Sequence, residues 1–373
     1  MRRLSVIILV FLFATVSSFA SLKWIDPMDL DYPVVQNQGW SEELKGTYQR
    51  LPDRAKNNVR SVLWDLSVNS SGLAIYFRTN SSAIRIRYIV KGPLEKPHIP
   101  KLAMSGVDLY RIASNGTTHE FCSGNYSFGD TISFQYDIPV LDDDNAEMPE
   151  YRLNLPLYNT ISKLEIGVNE DASINVLPVR DDKPIVLYGT SIAHGAGSPR
   201  PGMSWPNIMR RNLNDYPVIN LGFAANGRLE PELIDLLCEI DASIYILDCM
   251  PNMELKTGDE ISSLVEAAVK TLRANSKAPI LLVEHAGYSN AQTDPSQFEL
   301  ANKINRNQRK VYDRLQNEGF SNLYYLTKEE LNFPADSWVD YVHPNAIGAS
   351  RQAAVVTKRI EAIVPSVTKY CNR

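Results

Sequence analysis

Short apolar runs alternate with helical patterns through the second half of the chain, and this alternation restricts the fold more than any other feature. The pattern starts after the charged connector RDDKP at residues 180–184. Apolar strands that alternate with helices predict a parallel sheet with helices on both faces, so we expect an α/β domain over residues 181–373. The strand candidates are residues 185–188, 218–221, 243–248, 280–284 and 323–326, and the helix candidates are residues 231–240, 260–274, 298–317 and 345–363.

The region from residue 21 to residue 180 has a strand-like pattern instead. Residues 73–78 and 84–89 are rich in β-forming residues and flank the turn cluster TNSS, which is typical of an antiparallel hairpin. Short runs bounded by Gly, Asn, Asp and Pro follow, as in a β-sandwich. We therefore predict an all-β sandwich domain over residues 21–180. The further runs are residues 108–113, 133–136, 152–158 and 163–168.

The composition is that of a globular protein without a nucleic-acid partner. The chain has 373 residues, of which 44% are hydrophobic and 22% charged, enough for two domains with separate cores. Its formal net charge is −5, and it has no long basic run that could follow a phosphate backbone. Cys122, Cys238, Cys249 and Cys371 are too few for a disulfide-built scaffold, and their disulfide state stays open.

The first twenty residues have the pattern of an export signal. Arg2 and Arg3 precede an apolar stretch at residues 4–16 and the small residues of SFA at 18–20. The apolar stretch is shorter than the ~20 residues that span a bilayer, which favours cleavage over an uncleaved anchor helix. We predict a signal peptide at residues 1–20 and an exported protein, periplasmic or extracellular, without a stable membrane span after cleavage.

A serine follows the first strand of the predicted parallel sheet. Ligand sites in such sheets form at the carboxyl ends of the strands. The sequence GTSI at residues 189–192 places Ser191 at a tight turn that enters a helix, where backbone amides and the helix dipole favour negative charge. Ser191 is therefore a candidate nucleophile. The alternative is that Ser191 only caps the helix.

The segment before the last helix contains an acid and a histidine three residues apart. A serine hydroxyl needs a base to accept its proton, and the base needs a carboxylate that orients it and stabilises the imidazolium. Asp340 and His343 provide both groups. An Asp three residues before a His is weak evidence for a catalytic pair on its own, and the evidence becomes stronger only together with Ser191.

The second and third strands end in residues that can stabilise an oxyanion. Gly222 allows close approach of the backbone, and the side-chain amide of Asn252 can donate directly. With the amide of Ser191 they make three candidate donors. The alternative is ordinary turn chemistry, in which Gly and Asn are common.

These blocks, in this order, resemble the motifs of SGNH (GDSL-like) hydrolases. They are GTSI at 189–192, NLG at 220–222, PN at 251–252 and DxxHP at 340–344. The resemblance covers the second domain and implies a flavodoxin-like three-layer fold. Upstream, GVDLY at 106–110 resembles the GxDLY signature of a β-sandwich domain that precedes one bacterial branch of these esterases.

Position by position, the resemblance implies roles for five residues. Ser191 matches the nucleophile, His343 the general base and Asp340 its orienting carboxylate. The amides of Ser191 and Gly222 and the side chain of Asn252 match the oxyanion hole.

The motifs depart from the family pattern at two places. Thr190 stands at the position of Asp in the GDSL motif that gives the family its name. We expect this difference to be tolerated, because that residue is not the nucleophile. Asn252 follows Met250-Pro251 instead of ending a Gly-x-Asn-Asp run, so its role is less firmly implied than the triad.

Four further residues are candidates for substrate contacts. Arg228 could bind an anionic or hydroxylated substrate, and His285 could line the site; a solvated charge and a structural histidine are the alternatives. Tyr288 and Trp338 present flat rings that could lie against a sugar, or they could simply pack in their loops. We predict no metal and no other cofactor, since no ligand pair has a recognisable metal spacing.

We therefore predict an exported serine esterase that removes short acyl groups, O-acetyl above all, from carbohydrate. The expected partner is a small-molecule or glycan ester. The alternatives are a lipase, phospholipase or thioesterase of the same fold, or an inactive glycan-binding protein. The acyl group, its acceptor, the oligomeric state and any contact of the first domain with substrate stay open.

Overall fold

The computed structural model describes residues 21–113, 115–139 and 148–369. The predicted signal peptide and Cys371 lie outside this range. Cys122, Cys238 and Cys249 are free thiols. Within the described part of the chain, no helix is both long and apolar enough to cross a membrane.

Eleven described strands build a β-sandwich in the N-terminal part. One sheet has the order β1-β10-β4-β8-β7 and the other β11-β3-β9-β5-β6, with β2 beside β3. Apolar residues from both inner faces, such as Phe77, Ile86 and Phe134, form the core between the sheets. The strands are β1 (Leu22–Ile25), β2 (Val35–Gln36), β3 (Ala74–Thr79), β4 (Ala83–Val90), β5 (Asp108–Ile112), β6 (His119–Cys122), β7 (Asn125–Ser127), β8 (Ile132–Asp137), β9 (Glu150–Asn154), β10 (Ile161–Asn169) and β11 (Ile174–Val176).

The predicted hairpin between the first two long strands is wrong. β3 and β4 lie in different sheets, so the link between them crosses from one sheet to the other. Thr79 holds this corner: its hydroxyl accepts from the Ser81 amide at 3.1 Å and donates to the Ser173 carbonyl at 2.6 Å. Turn-forming residues suit a hairpin and an inter-sheet corner equally, because both are short polar reversals.

The α/β part contains a five-stranded parallel sheet of the flavodoxin-like order β13-β12-β14-β15-β16. Helices α5, α6 and α7 contribute to the core on one face, and α4 and α9 to the core on the other. The predicted fold class is confirmed. The strands are β12 (Ile185–Gly189), β13 (Val218–Gly222), β14 (Ile244–Asp248), β15 (Ile280–Val283) and β16 (Leu323–Leu326), and the helices are α1 (Ser61–Ser67), α2 (Lys101–Met104), α3 (Ser191–His194), α4 (Trp205–Asn212), α5 (Pro231–Leu237), α6 (Gly258–Asn275), α7 (Pro295–Asn317), α8 (Lys328–Leu331) and α9 (Ala346–Ile363).

One sheet of the sandwich packs its outer face against the α/β part. Residues of β3, β5 and β9 that point away from the sandwich core are buried there. Asp108 of the GVDLY motif accepts hydrogen bonds from Arg200 and from the Gly202 amide, both at 2.7 Å, and from Asn154 at 2.6 Å. Asn154 in turn accepts from the buried Arg210 at 2.5 Å. The motif therefore joins the sandwich to the loop before α4.

The segment of residues 37–72 belongs to the N-terminal part by sequence but packs on the parallel sheet. Trp40, Leu51 and Leu63 lie in the same apolar core as Ile219 of β13 and Leu233 of α5. The predicted boundary at residue 180 stays a prediction. The core of the α/β part nevertheless includes side chains that precede this boundary by more than a hundred residues.

Arg50 connects this segment to the edge of the parallel sheet. It is 2% exposed, and its guanidinium donates to the carbonyl groups of Asn220 and Gly222 at 3.1 and 2.7 Å. Its other donors reach the carbonyl groups of Leu66 and Asn69 at 2.7 and 2.9 Å. Burial lowers the pKa of Arg50 to about 9, so the side chain stays protonated at neutral pH.

We expect Arg50→Met to lower the free energy of unfolding by at least about 3 kcal/mol, because buried carbonyl groups lose a charged donor. Arg54→Met is the matched control. Its side chain is 45% exposed and pairs with Glu43 and Glu239, and such surface pairs contribute less than about 1 kcal/mol. Urea denaturation of both variants measures the difference, and equal losses would contradict the role given to Arg50.

Candidate active site

The turn between β12 and α3 leaves the Ser191 hydroxyl out of helix capping. Thr190 is the N-cap of α3, with its hydroxyl accepting from the Ile192 amide at 3.3 Å, so the cap alternative does not apply to Ser191. Gly189 permits the turn, since a β-carbon there would lie 2.7 Å from that of Ala193. Ser191 is thus the first residue of α3, at the carboxyl end of the sheet.

Ser191, His343 and Asp340 form one hydrogen-bonded chain. Nε2 of His343 lies 2.8 Å from Oγ of Ser191, and Nδ1 lies 2.8 Å from Oδ2 of Asp340. The other carboxylate oxygen accepts from the amides of Val342 and His343 at 2.9 and 2.8 Å. The structure brings the three predicted residues together with the connectivity that base-assisted attack by a serine requires.

The environment of Asp340 keeps its carboxyl ionised. Partial burial raises the pKa, but the hydrogen bonds from the His343 side chain and from the backbone of His343 and Val342 outweigh burial, so the pKa lies below its ordinary value. An ionised Asp340 fixes the proton of His343 on Nδ1 and leaves Nε2 to accept from Ser191.

The loop that carries His343 is held at both ends. The Val339 amide donates to the His343 carbonyl at 2.9 Å, and Trp338 pairs with Pro344 in an isolated bridge. Asn345 is the N-cap of α9 and accepts from the Ile347 amide at 2.8 Å. These contacts fix the imidazole relative to the start of α9.

Gly222, a predicted oxyanion donor, does not offer a free amide. Its N–H donates to Oδ1 of Asn220 at 2.9 Å, and a β-carbon on Gly222 would lie 2.3 Å from the backbone nitrogen of His194. Gly222 therefore lies beneath α3, where glycine is required for packing. The prediction is corrected here, because the sequence showed the glycine but not which way its amide points.

Ala225 is the residue that the sequence reasoning missed. It is exposed and has φ +57, in the left-handed region that is costly for alanine. The Asn226 and Gly227 amides both bond to the Phe223 carbonyl at 3.0 Å, whereas the hydrogen bonds described for the chain give the Ala225 amide no acceptor. Gly227 packs on the Gly189 carbonyl, where a β-carbon would come within 1.9 Å. The loop of residues 224–227 thus lies beside the Ser191 turn.

Asn252 reaches the same loop. Its side-chain nitrogen donates to the Gly227 carbonyl at 3.1 Å and lies 3.5 Å from the Phe223 carbonyl, at the limit of a hydrogen bond. One N–H of the amide is therefore well bonded, and the other makes only a long contact. No sequence signal identified Ala225, since an Ala-Ala pair in a turn does not predict a left-handed backbone conformation.

Two of the four predicted substrate contacts are buried. His285 is 1% exposed, and its Nδ1 accepts from the Gly287 amide at 2.9 Å. Burial, with a smaller contribution from Lys328, lowers its pKa to about 3. Tyr288 is 4% exposed and packs edge-on against His285, with ring centroids 4.4 Å apart. Both predictions are corrected: these rings are inside the protein, under the loop that carries His343.

The exposed aromatic ring of this region is Tyr341. It is 52% exposed and stacks on Tyr288 at 5.9 Å between ring centroids. Trp338 is half-buried against Phe333, at 5.2 Å. The side chain of Arg228 is half-buried, and its amide donates to Glu230 at 2.7 Å. Trp338 and Arg228 stay predictions.

The described residues contain no group of three or more His, Cys, Asp or Glu side chains arranged to hold a metal ion. Asp248 is fully buried at the end of β14 and accepts from Gln352 at 3.1 Å. Desolvation raises the pKa of Asp248 to about 8, against only a weak opposing effect of this hydrogen bond. Asp248 is therefore a neutral acid at pH 7.

Two family matches cover nearly all of the described chain. Residues 182–361 match the GDSL-like lipase/acylhydrolase family. Residues 22–174 match the GxDLY family, described as the N-terminus of Esterase_SGNH_hydro-type. A comparison with curated proteins gives no match.

Solved structures of the same architecture span almost the whole chain. A Bacteroides ovatus protein described as a GDSL-like lipase is 28% identical over 92% of this chain and 98% of its own, with a TM-score of 0.82. Salicylyl-acyltransferase SsfX3 from a tetracycline biosynthetic pathway is 19% identical over 92% and 97%, with a TM-score of 0.72. A family two carbohydrate esterase from Cellvibrio japonicus is 12% identical over 93% and 99%, with a TM-score of 0.54. At these lower identities, the last two establish the fold alone.

The neutral state of Asp248 predicts a pH-dependent stability. Folding raises the pKa of Asp248 from 3.8. Its contribution to the free energy of unfolding is therefore complete below pH 3.8 and is lost as the pH rises toward 8. Asp248→Asn removes this dependence while keeping an acceptor for Gln352. From pH 5 to pH 7, the unfolding free energy of the wild type should fall relative to the variant by roughly 1.4 kcal/mol per pH unit. Urea denaturation at both values tests this, and parallel curves would contradict it.

Proposed function

We propose that this protein, whose residues 182–361 belong to the family of GDSL-like lipases and acylhydrolases, works through an acyl-enzyme on Ser191. The chain is a serine hydrolase that acts on ester bonds. The observation that carries this proposal is the continuous hydrogen-bonded chain from Ser191 through His343 to Asp340, with both links at 2.8 Å. His343 takes the proton of Ser191 during attack and gives it to the leaving alcohol; water then releases the acyl group by the same route.

The proposed oxyanion hole differs from the one expected from the motifs. The amides of Ser191 and Ala225 and the side-chain amide of Asn252 are its donors. The left-handed backbone at Ala225 supports this proposal, because strained residues of this kind concentrate at functional sites. Donors fixed before the reaction stabilise the developing negative charge without reorganisation.

The proposed substrate is a short-chain ester, namely an O-acetyl group on a carbohydrate. The reaction takes place outside the cytoplasm, after removal of the proposed signal peptide at residues 1–20. Tyr341 supports a sugar substrate, since its exposed ring adjoins Asp340 and offers an apolar face of the kind on which sugar rings lie. The Cellvibrio neighbour acts on carbohydrate, but its likeness to this chain establishes only the fold.

A lipase is the second candidate, because apolar side chains are exposed around His343. Val339 is 47% exposed and Ile347 is 53% exposed, in the loop and helix that flank the histidine. Apolar side chains at the rim of a site could contact a longer acyl chain or an aggregated lipid.

Substitution of the triad should abolish turnover of p-nitrophenyl acetate without unfolding the protein. We expect Ser191→Ala and His343→Ala to lower kcat by about 10⁴-fold or more, and Asp340→Ala to retain more activity, because the orienting carboxylate is the most dispensable member. Ser262→Ala, on the distant helix α6, is the control. A large residual rate in Ser191→Ala, with unchanged circular dichroism, would show that the nucleophile is assigned wrongly.

The acyl preference distinguishes the two candidates. We expect kcat/KM on p-nitrophenyl esters to be highest for acetate and to decline for butyrate and octanoate. In a lipase, each CH₂ buried in an acyl groove adds up to about 0.8 kcal/mol, so the order would reverse. A preference for octanoate would replace the carbohydrate deacetylase by the lipase and leave the triad unaffected.

A further inference from the structure

The loop between β4 and α2 carries a histidine of the sandwich at its tip. Lys96 and Ile99 exchange two backbone hydrogen bonds of 3.0 Å, which close a tight turn around Pro97 and His98. Proline fixes its own backbone angle and suits the first central position of such a turn. The position of His98 is therefore restricted even though its side chain is exposed.

The base of this turn is anchored to the helical turn of Ser191. Ile99 is 1% exposed and packs with Tyr158 and Ala196 in a small apolar cluster between the two parts of the molecule. The Tyr158 hydroxyl donates to the Ser191 carbonyl at 3.2 Å, and the Ala196 amide donates to the same carbonyl at 2.9 Å. The turn of residues 96–99 and the helical turn of Ser191 thus pack against the same residues, Tyr158 and Ala196.

This arrangement brings His98 against His343. The two imidazole rings are almost parallel, at 13° between planes, and their centroids are 5.9 Å apart. This separation is within the range of aromatic pairs in proteins. His98 belongs to the sandwich, so both parts of the molecule contribute to the surroundings of the proton-carrying histidine.

The chemistry of the proposed reaction indicates what lies beside that ring. When the bond between the acyl carbon and the alcohol oxygen breaks, the imidazolium of His343 must give its proton to that oxygen. The leaving alcohol therefore lies on the His343 side of the site. An imidazole can donate to and accept from neighbouring hydroxyl groups.

We infer that His98 is a specificity-determining residue that borders the subsite of the leaving alcohol and binds a hydroxyl-bearing acceptor, such as a polyol or a sugar. This inference rests on the proposed acyl-enzyme mechanism. It makes a separate prediction, because the alcohol has left before the acyl-enzyme is hydrolysed. His98 acts while the ester is attacked and has no part when water releases the acyl group.

The test compares two steps that share one acetyl-enzyme. For His98→Ala and His98→Phe, kcat/KM on glycerol monoacetate, whose leaving group is the polyol glycerol, should fall by about 5- to 10-fold, the loss expected for one hydrogen bond. The decay of the acetyl-enzyme formed from p-nitrophenyl acetate should be unchanged in a rapid-quench measurement. Glu95→Ala, in the same loop and exposed, is the control and should change neither step.

Three results would overturn the inference. A parallel loss in the attack on glycerol monoacetate and in acetyl-enzyme decay would mean that His98 acts only through His343, which serves both steps. Unchanged kinetics on glycerol monoacetate would remove His98 from the alcohol subsite. The absence of an acetyl adduct on Ser191 in the wild type, seen by intact-mass measurement, would overturn the proposed mechanism itself before any His98 variant is compared.

Discussion

At the edge of the parallel sheet, the carbonyl groups of Asn220 and Gly222 face away from β12, and the buried guanidinium of Arg50 takes the place of a further strand. An uncovered edge would present unpaired backbone groups to solvent or to another chain. Arg60, from the same N-terminal segment, binds the side chain and the carbonyl of Asn226 at 2.6 and 3.0 Å. Both β13 and the loop that follows it are therefore held by residues that are far away in sequence.

The contact between the sandwich and the α/β part includes a fully buried ion pair beside its apolar cluster. Arg152 pairs with Asp215, and both side chains are inaccessible to solvent. Such groups are tolerated inside a protein only when they are paired, because an isolated buried charge is strongly destabilising. The pairing requires both parts in one relative position, which is also the position that brings His98 beside His343.

The site itself divides its polar groups between support and chemistry. Thr190 caps α3 and so leaves the Ser191 hydroxyl to His343. Asn220 takes up the amide of Gly222 with its side-chain oxygen, while its nitrogen donates to the Ala193 carbonyl at 2.8 Å. The NLG motif is thus a structural element that packs α3 onto β13. The neighbouring loop of residues 224–227, with the Asn252 side chain bonded to it, is the part to which we assign the proposed oxyanion hole.

Local pattern was sufficient for the five strands of the α/β part, because strands buried on both faces are mainly apolar. It also predicted α5, α6, α7 and α9, but it missed α4 and α8. The motifs after β12 and before α9 likewise predicted that Ser191, Asp340 and His343 meet, since ligand sites in such sheets form at the carboxyl ends of the strands. Tertiary structure decided what local pattern does not contain. β3 joins a different sheet from β4, and the Gly222 amide donates to the Asn220 side chain. His285 and Tyr288 are buried under the loop that carries His343 instead of contacting the substrate. Each depends on partners distant in sequence, and a hydrogen bond or a packing face is defined only when both partners are in place.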